Sequence, residues 1–284
     1  MEATKNTPAI IISRQPYRES DSLVTVYTLN FGKLNLLARG TKKSHSKLAG
    51  HLEPISLADI MIIAGRGFDY IGAAAASQIY SGLRQDLNKL FFAGSALRLF
   101  NHLVKEGESD ERLFYLLIDW LDILDNYQTT AVPLATDTSS IQSPEFSRSN
   151  GELLFAFFAI KLLGELGYSP ELSECLRCHR QITAGHNYLD LQNGGLVCGE
   201  CYAVRSANSP AHSGDYPIRS ANSTISDQTL ASSGLELLTI SDDCIKLWRF
   251  LANNKFELAP KLKLNHKLIK ELSTLINGFL SFRD

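Results

Sequence analysis

Two cysteine pairs, Cys175-Leu176-Arg177-Cys178 and Cys198-Gly199-Glu200-Cys201, constrain the fold of this chain more than any other feature, and 19 residues separate them. Each pair presents two thiolates from one tight turn, and two such turns close a tetrahedron around a soft divalent ion. The C-x2-C…C-x2-C spacing predicts a structural four-cysteine zinc site. Four protein ligands leave no coordination position for water or substrate, so the spacing points to a clamp on the fold and not to chemistry. Gly194-Gly195, just before the second pair, predict a turn with backbone angles that other residues adopt poorly. His179 and His186 share the window, but four thiolates already complete the ligand set, so both are expected in solvent or beside the site. Two other chemistries fit less well. A thioredoxin-like dithiol wants a single pair beside a βαβ pattern, and none can be read here. A zinc deaminase wants H-x-E and then P-C-x-x-C. His51-Leu52-Glu53 meets the first half, but no proline precedes Cys175 or Cys198. Cys244 stands in an apolar helical stretch and reads as a buried thiol.

With 284 residues, 44% of them hydrophobic, the chain can bury a sizeable core and is expected to form two domains. The first sixteen residues hold only a short apolar run, Ala9 to Ile12, which is no secretory h-region. Lys161 interrupts the most apolar stretch, Leu153 to Leu163, so no membrane span is expected. Clustered thiols with metal spacing argue for a reducing cytoplasm. Net charge is only −2, yet its distribution is uneven: residues 1–80 carry nine Lys and Arg against six Asp and Glu. Arg39, Lys42, Lys43 and Lys47 fall within nine positions with no acid among them. On a small β domain such a loop focuses potential where a phosphate backbone could lie; taken by themselves, four such charges also suit a solvated loop.

Residues 8–76 read as five strands: Pro8 to Arg14, Ser22 to Leu29, Lys33 to Arg39, Leu57 to Ala64 and Gly67 to Ala76. Asn30-Phe31-Gly32 forms a hairpin turn, and Gly65-Arg66-Gly67 forms another. The polar segment Gly40 to Ser56 yields no strand. Five short strands, with the longest connection between the third and fourth, predict an OB-fold β-barrel, a fold that binds single strands through a basic groove and aromatic platforms. Tyr17, Tyr27, Phe31, Phe68 and Tyr70 are the aromatics available, and the sequence does not sort stacking rings from packing ones. From Leu83 onward the hydrophobic period becomes helical. Helices are expected around Leu83–Val104, Arg112–Asp125, Gly151–Gly167, Gly234–Leu251 and Lys263–Phe282, the second capped by Ser109-Asp110-Glu111. The fold class is therefore α+β: an OB-fold domain over residues 1–80, then an α-helical domain over 81–284. The helical domain carries an inserted zinc knuckle at about 172–204. Ser-rich segments at about 126–149 and 203–233 read as mobile insertions, the second repeating Arg205-Ser206-Ala207-Asn208-Ser209 at Arg219 to Ser223.

These features together resemble the bacterial recombination mediator family RecO. The N-terminal likeness rests on Arg18-Glu19-Ser20-Asp21-Ser22-Leu23, Tyr27-Thr28 and Phe31-Gly32-Lys33. It continues through Ala38-Arg39-Gly40-Thr41-Lys42-Lys43, Ser46-Lys47-Leu48 and Leu52-Glu53-Pro54. The C-terminal likeness rests on Leu166-Gly167-Tyr168-Ser169-Pro170-Glu171-Leu172 leading into Cys175, then on Gly194-Gly195-Leu196-Val197-Cys198 and Cys201. The resemblance implies a non-catalytic DNA repair protein of the RecF pathway that binds single- and double-stranded DNA and anneals complementary strands. It implies work with RecR and docking on the C-terminal tail of single-stranded DNA-binding protein. A functional link to RecF, and help in loading RecA on coated strands, follow as well. The family is bacterial and cytoplasmic, at the nucleoid.

Within that reading Arg39, Lys42, Lys43 and Lys47 neutralise phosphates without reading sequence, and Arg14, Arg18, Lys33 and Arg66 are secondary candidates for the same surface. Cys175, Cys178, Cys198 and Cys201 hold structural Zn2+. Consistent with a protein that hydrolyses no nucleotide, the chain has no G-x4-G-K-[ST] loop and no paired acidic motif for magnesium. Lys261, Lys263, Lys267 and Lys270 could edge a pocket for the partner tail but read more simply as a solvated helix face. Two rival readings stay open: a zinc-stabilised RNA-binding module and a protein-only adaptor.

Overall fold

The structure is a computed structural model that describes residues 4–127, 147–208 and 237–282. It begins with five strands, β1 (Thr4–Tyr17), β2 (Asp21–Thr28), β3 (Gly32–Ala38), β4 (Ser56–Ile63) and β5 (Tyr70–Gln78). They close a barrel in the order β1-β2-β3-β5-β4, the OB-fold arrangement expected from the strand spacing. β1 makes closure possible by pairing with β4 along its first half and β2 along its second, with a bulge between Ile11 and Ser13 where it bends. Alternate residues line the interior: Ala9 and Ile11, Val24 and Val26, Leu36 and Ala38, Ala58, Ile60 and Ile62, with Ile71 from β5. Leu52, from the β3–β4 connection that showed no strand pattern, is fully buried against this cluster.

Three helices follow the barrel: α1 (Ser81–Arg84), α2 (Leu87–Leu103) and α3 (Glu111–Asp125). Asp86 caps α2 by accepting from the Asn88 and Lys89 amides, and Asp110 caps α3 through the Arg112 amide. The α2–α3 connection seals onto the barrel. The Gly107 amide donates to the Lys33 carbonyl at 3.0 Å. Gly32 adopts φ +67°, and any Cβ there would overlap the Glu108 carbonyl, so the hairpin turn admits glycine alone on two counts. By compactness the chain divides into Met1–Gly151 and Glu152–Asp284. Helices α1 to α3, grouped with the helical domain on sequence periodicity, thus lie in the same unit as the barrel.

The second unit takes most of α4 (Arg148–Glu165), whose residues Leu153 to Leu163 are buried on nearly every face. Next come β6 (Glu171–Cys175), β7 (Asn187–Asp190), β8 (Gly195–Cys198), α5 (Gly199–Asn208), β9 (Leu237–Ile240), α6 (Asp242–Asn253) and α7 (His266–Ser281). The strands form one sheet in the order β6-β8-β7-β9. This corrects the helix expected from Gly234: Leu237 to Ile240 are a strand. Leu238 and Ile240 face inward while the whole segment pairs with the open edge of β7, and α6 starts only after Ser241 caps the Cys244 amide. Glu271 of α7 accepts from both the amide and the hydroxyl of Ser241, which ties the sheet edge to the helices. Cys244 is buried as expected, and burial pushes its thiol pKa up. Of the two Ser-rich segments, residues 128–146 and 209–233 lie outside the described residues, residues 148–149 belong to α4 and residues 203–208 to α5. Among the described residues no helix is long and apolar enough to cross a membrane.

Candidate metal centre and nucleic-acid interface

The metal-ligand spacing is realised in space. Cys175 ends β6, Cys178 lies in the turn after it, Cys198 ends β8 and Cys201 opens α5. Their four sulfur atoms lie within 4.8 Å of one another, and Cys178 and Cys198 Sγ are 3.9 Å apart. A tetrahedral ion with ligand bonds of about 2.3 Å needs sulfurs about 3.8 Å apart, so the spacing fits. The Cys175 sulfur is buried and accepts from the Arg177 and Cys198 amides at 3.5 and 3.4 Å, so both turns support this one ligand position. Arg180 pairs with Glu200, and the Arg177 guanidinium donates to the Cys201 carbonyl, bridging the same turns. Gly194 takes φ +68° in the β7–β8 turn as expected, whereas Gly195 is needed for a different reason: a Cβ there would press on Leu176 and the Glu171 carbonyl. His179 and His186 are exposed and outside the ligand set.

The thiols are electrostatically unequal. The backbone amide and then the guanidinium of Arg180 pull Cys178 down to about 6, while burial and then the neighbouring thiols push Cys201 up to about 12. Four thiolates so close would repel one another, and a divalent cation held at their centre would remove that repulsion.

In the first unit, loops distant in sequence meet at one end of the barrel. The Lys42 amide donates to the Ser20 carbonyl, and its ammonium donates to the Arg18 carbonyl at 3.2 Å. Asp21 is the hinge between these loops, and sequence reasoning gave it no role. Its carboxylate accepts from the Gly40 amide at 2.8 Å and from the Ser20 hydroxyl. The Gly40 amide first, then Ser20, Arg18 and Arg39, hold its pKa below the usual 3.8. The β4–β5 loop joins the same end, because the Leu37 amide donates to the Asp69 carbonyl at 2.9 Å.

Side chains on this rim alternate cation and ring. Arg39 lies over Tyr70 at 4.6 Å, Arg18 lies over Tyr17 at 5.3 Å, and Tyr17 meets Phe68 edge-to-face at 5.9 Å. Arg18, Arg39, Lys42, Lys43, Lys47 and Arg66 are all exposed. The remaining candidates are sorted out by packing. Lys33 is a correction: it is buried, and its ammonium donates to the Asn101 carbonyl at 2.7 Å, which leaves it no face for a phosphate. Arg14 is half-buried, donates to the Ala49 carbonyl and pairs with Glu53 at 2.7 Å, so it braces the β3–β4 loop from behind. Tyr27 is buried with its hydroxyl bound to the backbone of Asp110, and Phe31 packs on the barrel core at the opposite end of β2. Lys33→Met is expected to cost about 1–2 kcal/mol in urea unfolding and to leave the salt dependence of DNA binding unchanged. Unaltered stability with a weaker DNA complex would instead return Lys33 to the binding surface.

Barrel and thiol cluster together define the class: an OB-fold protein whose second unit carries four cysteines positioned to hold a metal ion. Residues 1–80 match the family model for the N-terminal region of recombination protein O, and residues 146–231 match that for its C-terminal region. The chain is 30% identical over 201 residues to DNA repair protein RecO of Geobacter metallireducens, covering 71% of this chain and 73% of that protein. It is 26% identical over 276 residues to the RecO of Dehalococcoides mccartyi, covering 97% and 89%. With that of Desulforamulus reducens it shares 28% over 274 residues, covering 96% and 87%. The chain belongs to the RecO family of DNA repair proteins.

Proposed function

We propose that this protein is a non-catalytic mediator of homologous recombination: it binds single- and double-stranded DNA, anneals complementary strands and helps load recombinase on coated single strands. The observation that supports this reading best is the convergence of Arg18, Arg39 and Lys42 with Tyr17, Phe68 and Tyr70 on one end of an OB barrel. Cations placed there neutralise phosphates and release counterions without reading sequence, and rings offer stacking to any base. Holding two strands on one cationic surface lowers their mutual repulsion and raises their local concentration, and annealing needs no further chemistry. The thiol cluster holds zinc, which clamps the β6–β8 turns and takes no part in DNA chemistry. Family membership supports RecR, RecF, RecA and the C-terminal tail of single-stranded DNA-binding protein as partners, and the bacterial cytoplasm as the place of action.

The test is a fluorescence-transfer assay with two complementary labelled oligonucleotides and no nucleotide cofactor. The protein is expected to accelerate annealing about 10-fold or more at low salt, with acceleration falling as salt rises. An annealing rate indifferent to the protein would discard the mediator reading, and acceleration confined to RNA strands would replace it with an RNA-binding module.

A further inference from the structure

The rim described above holds an arrangement that a purely electrostatic DNA surface does not need. Both tyrosines carry a guanidinium on the ring, and neither Arg18 nor Arg39 is held there by a hydrogen bond or ion pair among the described residues. Arg14, a few residues away, shows the contrast, since a carbonyl and a carboxylate fix its guanidinium. Arg18 also sits at φ +52°, a left-handed conformation uncommon for arginine, in the turn that folds its side chain back over Tyr17.

Resting on the DNA-binding reading, we propose that Tyr17, Phe68 and Tyr70 are the residues that distinguish single strands from duplex. Arg18 and Arg39 serve as exchangeable caps on the tyrosine rings. A duplex keeps its bases stacked inside and offers only phosphates. It docks with the caps in place, because a guanidinium lying on a ring still presents its N–H edge outward. A single strand offers bases as well. A base stacks on an aromatic face more strongly than an exposed guanidinium does, so it displaces the cap, and the freed guanidinium takes the adjoining phosphate in two-pronged fashion. Phe68, exposed and edge-on to Tyr17, extends the platform by one ring. One rim thus serves both forms of DNA with the same cations, and the rings act on only one of them.

The experiment measures anisotropy of a labelled oligothymidylate and of a labelled blunt duplex of equal length, using the full chain. Tyr17→Leu/Tyr70→Leu is expected to weaken oligothymidylate binding about 100-fold and duplex binding less than about threefold, since the cations that meet phosphates remain. Phe68→Ala, at a residue that is 44% exposed and so contributes little to folding, is expected to weaken the single-strand complex alone by about tenfold. Arg18→Gly relieves the left-handed strain, so it keeps the fold and is expected to weaken both complexes alike. Parallel loss of both complexes in the tyrosine and phenylalanine variants, or no loss in either, overturns the proposal while leaving the DNA-binding reading intact. A wild-type chain that binds neither probe overturns both.

Discussion

Cys175→Ser is expected to abolish stoichiometric zinc binding and to lower unfolding free energy by about 4 kcal/mol or more, the range that marks loss of a bound metal. Cys175 is the buried ligand of the four, and its sulfur accepts amides from both turns. A serine there removes one ligand and leaves those amides facing a poorer acceptor placed too far back. The damage should stay local at first. The helices α4, α6 and α7 keep their own core, in which Trp248 meets Phe279 and Phe157 meets Phe256, so hydrogen exchange should speed up in β6 and β8 before α6. Metal content by plasma mass spectrometry and melting temperature with and without chelator provide the readout. Cys244→Ser is the control: it alters a buried thiol outside the cluster and should lose stability but keep the ion. A Cys175→Ser chain that retains full metal and an unchanged melting temperature would remove the clamp from the account.

The second large effect concerns DNA. Replacing Arg39, Lys42, Lys43 and Lys47 together by alanine is expected to weaken binding to single strands about 100-fold at low salt. The slope of log affinity against log salt should become shallower by about 0.7 for each phosphate that is no longer neutralised. All four side chains are exposed, so the melting temperature should hardly move; surface replacements of this kind stay within about 0.5 kcal/mol. Salt-dependent anisotropy titrations of both chains decide it. Equal slopes would take the loop off the DNA surface and bring the protein-only adaptor forward. The charge-removal series complements the ring-removal series: cations set affinity for both DNA forms, while rings set the preference between them.

The structure also explains why some residues were readable in the sequence and others were not. Alternating burial in β2 and β4 suits a barrel because each strand turns one face inward, whereas β1 buries the whole run Ala9 to Ile12 and is readable from its β-branched residues. The segment Gly40 to Ser56 shows no such period, since its order comes from single contacts: Leu52 buried in the barrel, Arg14 bonded to Ala49 and paired with Glu53, Asp21 accepting from Gly40. Leu237 to Ile240 carry apolar residues that suit a helix or a strand equally, and the open edge of β7, far back in the chain, decides for the strand.

Local chemistry was enough for the metal centre and the fold class. Two C-x2-C turns bring their own ligand geometry wherever they are placed, and strand period and turn glycines act over a few residues. Which lysine meets solvent, and which ring stays near the surface, are settled by long-range packing. Lys33 and Lys42 are alike as letters in a strand-and-loop pattern, yet a carbonyl at Asn101, 68 positions on, buries the first and leaves the second on the rim. Tyr27 and Tyr70 differ in the same way, the former drawn inward by Asp110, 83 positions away. Exposure is a property of what packs against a side chain, and packing partners are chosen by the tertiary fold.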